Sequence, residues 1–194
     1  KRKQVSREEI APEKENVWFF YFNLSKELFV SLSISMNIRD KVIVITGGAQ
    51  GLGLAMAESL AAEGAKLALV DLHQERLDQA VARCKKLGGD ARPYFANVAN
   101  EEQVIRLFDN IIADYNAVHG LINNAGILRD GLLIKIKDGE IIKRMSLAEW
   151  QAVIDVNLTG VFLCGREAAT KMIECGASGL IINISSVSRA GNMG

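Results

Sequence analysis

The sequence predicts an α/β fold, a doubly wound parallel sheet with helices on both faces, and three observations carry that prediction. The first is the run Val42 to Ile45, apolar and β-branched throughout, as expected of a strand buried on both faces. The second is the glycine set directly after that run, Gly47, Gly51 and Gly53, which opens into an alanine-rich helical stretch. The third is the continued alternation of strand and helix, with the strands continuously apolar, a pattern that belongs to parallel sheets covered by helices.

Taken in order, the strand KVIVIT (41–46) leads into the helix LGLAMAESLAAEG, closed by Gly64. The strand AKLALVD (65–71) is followed by the helix QERLDQAVARCKKLG, whose Leu77, Ala80, Val81, Cys84 and Leu87 share one face. ARPYFANV is a third strand, weakened at its start by Pro93. Asn100 caps the next helix with Gln103 as its capping-box partner, and Val104, Leu107, Phe108 and Ile111 fall at core spacing. HGLINNAG supplies a fourth strand that runs into a loop. In LLIKIKDGEIIKRMS, apolar and basic residues flank Asp138-Gly139, a two-residue hairpin signal. That segment reads either as a hairpin beside the site, acting as lid or subunit contact, or as a decorated surface loop. Ser146 and Glu149 open a helical region that runs past Asn157 to about Glu174, and SGLIINIS (178–185) is the fifth strand.

Right-handed crossovers put the C-terminal ends of all these strands on one sheet edge. The glycine turn, Asp71, Asn97, NNAG (123–126) and Ser185–Ser186 therefore converge on one crevice. A strand, a glycine turn and a helix N-terminus together form an anion site, because backbone N–H groups lie unscreened and the helix end adds partial positive charge. A phosphate is its natural occupant.

Composition narrows the alternatives. With 23 basic and 23 acidic side chains in 194 residues, zero net charge gives no electrostatic reason to expect nucleic acid or an anionic membrane. Cys84, Cys164 and Cys175 are widely spaced, which argues against a disulfide scaffold or zinc site and suits a reducing cytoplasm. His73 and His119, the two histidines, are expected on the surface, and no metal centre is expected.

The first 35 residues differ from the rest. A mixed-charge polar run to Asn16 reads as disordered or solvated, and VWFFYFNLSKELFVSLSIS is aromatic-rich but interrupted by Lys26 and Glu27. Met36 is expected to be the natural start, with residues 1–35 an atypical extension or non-native, and 36–194 the domain. An amphipathic membrane anchor over 17–35 is the competing reading.

The sequence from Met36 resembles the short-chain dehydrogenase/reductase family, through TGGAQGLG (46–53), NNAG (123–126), Asn157 in VIDVNLTG, and NISS (183–186). Within that family, NNAGILRDG and LLIKIKDG are most similar to 3-oxoacyl-[acyl-carrier-protein] reductases. The resemblance implies a Rossmann-type sheet binding a nicotinamide dinucleotide and a homodimeric or homotetrameric, cytoplasmic oxidoreductase.

Each matching residue then carries an expected role. Gly47 makes the tight turn, Gly51 lets the pyrophosphate approach, and Gly53 allows close helix–strand packing. Gln50, Leu52, Leu72 and Val98 fall at cofactor-contacting positions. Asp71 at the end of the second strand would accept from both ribose hydroxyls of NAD(H) and repel the extra phosphate of NADP(H). Gln50 stands where relatives that prefer NADP often carry a basic residue, so NAD(H) is expected, with NADP(H) possible. Asn97 departs from the family's usual Asp beside adenine; its amide oxygen would accept from the adenine amino group. Asn123 to Gly126, with Ala125, would pack beside the adenosine. Asn157 matches the asparagine that holds a proton-relay water, and Ser186 the serine that hydrogen-bonds the substrate carbonyl.

The family's Tyr-x-x-x-Lys pair does not occur among the 194 residues. The expectation is a C-terminally truncated reductase, inactive alone, whose full form passes hydride to the carbonyl of a 3-oxoacyl thioester, free or carried by acyl-carrier protein. A small alcohol, steroid or sugar carbonyl is the alternative substrate. A non-catalytic dinucleotide-binding sensor and a membrane-tethered reductase are the alternative classes.

Overall fold

The computed structural model describes residues 18–19, 37–129 and 131–186. The expectations for Met36, and for the extension apart from residues 18–19, lie outside the described residues.

The strands are β1 (Trp18–Phe19), β2 (Val42–Thr46), β3 (Lys66–Asp71), β4 (Asp90–Phe95), β5 (Gly120–Asn123), β6 (Ile134–Lys137), β7 (Glu140–Arg144) and β8 (Leu180–Asn183). The helices are α1 (Gly51–Ala62), α2 (Gln74–Lys86), α3 (Glu101–Tyr115), α4 (Leu147–Ile154) and α5 (Gly160–Glu174). One sheet runs in the order β1-β8-β5-β2-β3-β4, and every neighbouring pair in it is parallel. The expected doubly wound sheet is thus present. β2 leads outward to β3 and β4, whereas β5 and β8 lie on its other side, so the order reverses between β2 and β5. In open α/β sheets such a switch point is where ligands bind, outside the carboxyl ends of the strands.

Alternation along β2 shows why both faces need helices. Val42 and Val44 enter a core with Phe108, Ile111, Leu163 and Met172, under α3 and α5. Ile43 and Ile45 enter the opposite core with Ala57, Leu77, Val81 and Cys84, under α1 and α2. All five β2 residues are buried. Burying each large apolar side chain stabilises the fold by roughly 1.5–3 kcal/mol.

Three local readings are refined. Asn100 caps α3 by accepting from Gln103 N–H at 3.0 Å, but the Gln103 amide oxygen accepts from Asn97 N–H at 2.9 Å. The expected capping box is therefore half formed, and its second arm instead tethers the loop that carries Asn97. His119 is not a surface residue: it is half-buried, and its Nδ1 accepts from Val42 N–H at 3.1 Å. Burial, with Lys41 and Lys66 nearby, lowers its pKa and keeps it in the neutral form that bond needs. The helical region after Ser146 runs without a break to Glu174, as expected, with a π-helical turn, Asp155–Thr159, joining α4 to α5.

The sheet also gains a strand from the N-terminal segment expected to stand apart. Trp18 and Phe19 pair in parallel with Leu180 and Ile181 of β8.

The hairpin reading of 134–144 holds. β6 and β7 pair antiparallel around Asp138 (φ 51°) and Gly139 (φ 84°), both in the left-handed region that a two-residue type I′ turn requires. Its base leads into α4 through a complete capping box. Ser146 Oγ accepts from Glu149 N–H at 3.1 Å, and Glu149 Oε2 accepts from Ser146 N–H at 2.8 Å. That backbone N–H first, then Lys143 and the Ser146 hydroxyl, depress the Glu149 pKa from 4.5 to about 2. A depressed carboxyl stabilises the fold above its unfolded pKa and loses that contribution as pH falls through the folded value. The cap is therefore expected to be whole at about pH 5 and lost towards about pH 2. A 13C-carboxyl titration of Glu149 checks this, and a midpoint near 4.5 contradicts it. Ser146→Ala is expected to cost about 1 kcal/mol in denaturant unfolding.

Candidate active site

The carboxyl edge at the switch point holds a cavity of about 360 Å³. Gly47, Gln50 and Gly51 form one wall, and Asp71 and Leu72 follow from the end of β3. Asn97 and Val98 come from the loop after β4, and Ala125 and Gly126 from the loop after β5. Nine of the residues singled out in the sequence therefore meet around one space. Val70, His73, Ala96, Asn124, Ile127 and Val156 also line it.

Steric constraints explain the glycines. Gly47 sits at φ +64°, and a Cβ there would lie 3.0 Å from Ala125 Cα and from Asn124 Nδ2. Gly53 does not line the cavity but packs beneath the turn, where a Cβ would lie 2.1 Å from the Gly47 carbonyl oxygen. Gly51 differs from both: a Cβ there would meet nothing within 4 Å, so its missing side chain keeps the cavity open. Leu52 is exposed at 58 % and is the second residue of α1, so what it offers this edge is its backbone N–H.

The start of α1 has no acceptor of its own. Its N-cap residue, Gln50, makes no side-chain cap, and its first turn has no acidic residue. By contrast, α3 and α4 are both capped by side chains. An uncapped helix start facing a glycine-walled cavity is chemistry suited to a phosphate.

The turn is clamped from the β5 side. Thr46, 1 % exposed, accepts through its hydroxyl from Asn124 N–H and Ala125 N–H, both at 3.0 Å. Asn124 Nδ2 donates to the Thr46 and Gly47 carbonyls, both at 3.1 Å. Thr46 and Asn124 are thus positioning residues. The legible signal for Thr46 was its place as the first polar residue after the buried run of β2. Asn123, the neighbouring asparagine, is buried at 3 % and does not line the cavity. Its Nδ2 donates to Asn183 Oδ1 at 2.9 Å, joining β5 to β8.

Asp71 holds the opposite wall. Oδ1 accepts from Leu72 N–H at 2.7 Å and Oδ2 from Ala49 N–H at 3.3 Å, so the carboxylate is fixed at the rim and braces the glycine turn. Arg76 on α2 donates to the Gln50 side-chain oxygen nearby. The Asn97 oxygen, expected to meet adenine, already accepts from Ala99 N–H at 3.0 Å. The amide NH2 is the end of Asn97 with no partner inside that loop, so the side chain offers the cavity a donor as well as an acceptor lone pair.

Asn157 lies in the π-helical turn. Its Oδ1 accepts from Ile127 N–H and its Nδ2 donates to the Ile127 carbonyl, both at 2.9 Å. π-Turns inside helices often mark functional sites, and this one aims a polar side chain at the loop that lines the cavity. Ser185 and Ser186 follow β8 at the same sheet edge and are exposed, outside the cavity lining. Among the described residues no group of three or more His, Cys, Asp or Glu could hold a metal ion. No helix among them is long and apolar enough to cross a membrane.

The architecture and its cavity are those of a Rossmann-type α/β domain with a phosphate-suited site at its switch point. Comparison with known proteins places it further. The short chain dehydrogenase family model matches residues 41–194, and the chain belongs to that family. The 3-oxoacyl-[acyl-carrier-protein] reductase of Synechocystis sp. is 44% identical over 156 residues, covering 79% of this chain and 58% of that protein. The 3-oxoacyl-[acyl-carrier-protein] reductase of Thermotoga maritima is 37% identical over 152 residues, covering 78% and 58%. The crystal structure of NAD+-bound xylitol dehydrogenase superposes with a TM-score of 0.69 at 31% identity, covering 80% of this chain and 56% of that one. The chain thus spans little more than half the length of the relatives it matches.

Proposed function

We propose that the protein of which this chain is part is an oxidoreductase that moves a hydride between NAD(H) and a carbonyl or alcohol substrate, most fittingly a 3-oxoacyl thioester. The observation that carries this reading is the uncapped start of α1 behind Gly47 and Gly51, at a cavity that Asp71 also lines. A phosphate-suited helix start and a rim carboxylate on one cavity suit a dinucleotide, with pyrophosphate at the former and ribose hydroxyls at the latter.

When bound, the nicotinamide supplies or accepts the hydride. The remaining tasks fall to protein groups. The Thr46–Asn124 clamp fixes the loop, Asp71 orients the adenosine ribose, and the Ser186 hydroxyl donates to the substrate oxygen as charge develops on it. Asn157, pinned to Ile127, holds the loop beside the reacting centre and is the residue assigned to the proton path. NAD(H) is favoured over NADP(H) because a fixed carboxylate repels the extra phosphate.

The relatives named as 3-oxoacyl-[acyl-carrier-protein] reductases support a carrier-bound acyl substrate. A small alcohol or sugar alcohol is the second reading, supported by the likeness to a xylitol dehydrogenase. The oligomer is proposed to be a homodimer or homotetramer, with Trp150, Leu158 and Phe162 of the α4–α5 region as its apolar contacts; all are more than half exposed. A cytoplasmic setting suits the three free cysteines.

The test uses the full-length protein with NADH and 3-oxobutyryl thioesters. Oxidation of one NADH for each 3-hydroxyacyl product is expected. Saturable NADH binding with no turnover of thioester, ketone or sugar would instead support a non-catalytic dinucleotide-binding protein.

A further inference from the structure

A second cavity, of about 330 Å³, opens between the β6–β7 hairpin and the start of α4. Arg129, Lys135 and Lys143 line it, with Glu149 as its carboxylate. Among the described residues the charges do not balance. Glu149 Oε1 accepts from Lys143 Nζ at 2.9 Å, and Oε2 accepts from the Ser146 N–H and hydroxyl at 2.8 and 2.9 Å. That carboxylate already accepts three hydrogen bonds from Lys143 and Ser146, and neither Arg129 nor Lys135 has an ion-pair partner among the described residues. Asp130 lies outside the described residues.

The hairpin register sharpens the point. Lys135 and Lys143 are directly opposed across the strands, on the face turned towards the cavity. Like charges at opposed positions destabilise a hairpin, and an isolated two-stranded hairpin is already marginal. A local rule broken with one carboxylate among the described residues as compensation points to an anion that completes it.

Position suggests which anion. Ile127 lines the dinucleotide cavity and Arg129 lines this one, so one short loop borders both. Two residues of chain span at most about 7 Å, which puts the cationic cavity next to the proposed reaction crevice.

We propose that this cavity binds the phosphate of a phosphopantetheine arm, holding an acyl thioester substrate by its far end while the acyl group enters the crevice. This rests on the thioester reading above, and it applies equally to coenzyme A and to a carrier protein, which present the same arm. Arg129 offers a forked donor and Lys135 a point charge, with Lys143, already paired to Glu149, beside them, a set suited to the anionic phosphate of that arm.

Two measurements test it, both on the full-length protein with the dinucleotide crevice filled, by saturating NAD in the first and by saturating NADH, the hydride donor, in the second. In the first, 4′-phosphopantetheine and pantetheine are titrated separately. The phosphorylated arm is expected to bind about tenfold tighter, and Lys135→Gln and Arg129→Gln are each expected to remove most of that preference. Equal binding of the two arms by the unaltered protein, or a preference that survives both substitutions, overturns the site. Arg129→Gln leaves the hairpin strands intact, so misfolding of the Lys135 variant cannot produce the expected result alone.

In the second, kcat/KM is compared for 3-oxobutyryl-coenzyme A and for the phosphate-free N-acetylcysteamine thioester. Their ratio is expected to fall about tenfold in the Arg129→Gln variant, through KM; an unchanged ratio counts against the site. If neither thioester is reduced while the phosphopantetheine preference stands, the thioester reaction has failed and the phosphate site has not. A carrier-protein substrate that responds to Arg129→Gln when the coenzyme A thioester does not would show the site reads protein surface, and would overturn it.

Discussion

Gly53→Ala is expected to abolish dinucleotide binding, lowering affinity by at least about 100-fold, the equivalent of roughly 2.8 kcal/mol. The added Cβ would lie 2.1 Å from the Gly47 carbonyl oxygen and 2.7 Å from Asn124 Nδ2, contacts no relaxed structure tolerates. The loop must therefore move, and moving it breaks the bonds by which Asn124 and Thr46 hold it. Overpacking of this kind destabilises by about 1–3 kcal/mol, so the melting temperature should fall as well. Gly51→Ala separates the two effects. Nothing lies within 4 Å of its added Cβ, and its cost to folding is the strain of φ +54°, about 1–2 kcal/mol. Its methyl group instead narrows the cavity that Gly51 lines, so binding should weaken more than stability does. Calorimetric NADH titration with thermal denaturation of both variants checks the pair. Undiminished binding by Gly53→Ala would show that the glycine turn is not the cofactor loop.

Asp71→Ser is expected to invert cofactor preference. The carboxylate is fixed by Leu72 N–H and Ala49 N–H, so it presents charge at the rim with little freedom to turn away. Hydrogen bonds to a charged group contribute about 1.5–3 kcal/mol, so NAD affinity should fall roughly 10–150-fold. NADP affinity should rise, since the substitution removes a charge that repels the 2′-phosphate and leaves Arg76 at the same rim. Dissociation constants for both cofactors, measured on both proteins, settle the point. An unchanged ratio would remove Asp71 from any role in cofactor choice. Ala49 also loses its acceptor, so a small loss of stability is expected and is separated by thermal denaturation.

The glycine turn was legible in the sequence for a physical reason. A positive φ, or a neighbour 2.1 Å from where a Cβ would be, leaves glycine as the one residue that fits, and such demands recur at fixed spacing. Asp138-Gly139 and the Ser146–Glu149 box were legible on the same ground, since each is completed by residues a few positions apart. What escaped depends on contacts distant in sequence. His119 is half-buried because β2 pairs with β5, which brings it against Val42, 77 positions away. Gln103 has the capping-box spacing, but its amide meets Asn97 because the loop before α3 curls back to it. Asn123 and Asn124 are adjacent and chemically identical. Strand alternation alone sends one into the β5–β8 contact and the other against the glycine turn. The π-turn is defined by its backbone hydrogen bonds, which the apolar periodicity of the side chains does not report. The second cavity was half legible: the alternating basic residues were visible, but the commitment of Glu149 to Lys143 and Ser146 was not.

Everything proposed for this protein depends on the switch-point cavity being a dinucleotide site built on the glycine turn. Titration with NADH, followed through the fluorescence of the reduced nicotinamide, is the sharpest test of that dependence. Saturable binding of one NADH per chain, displaced by NAD and lost in Gly53→Ala, is expected. Binding that fails to saturate, or that Gly53→Ala leaves intact, would show that the cavity is not that site.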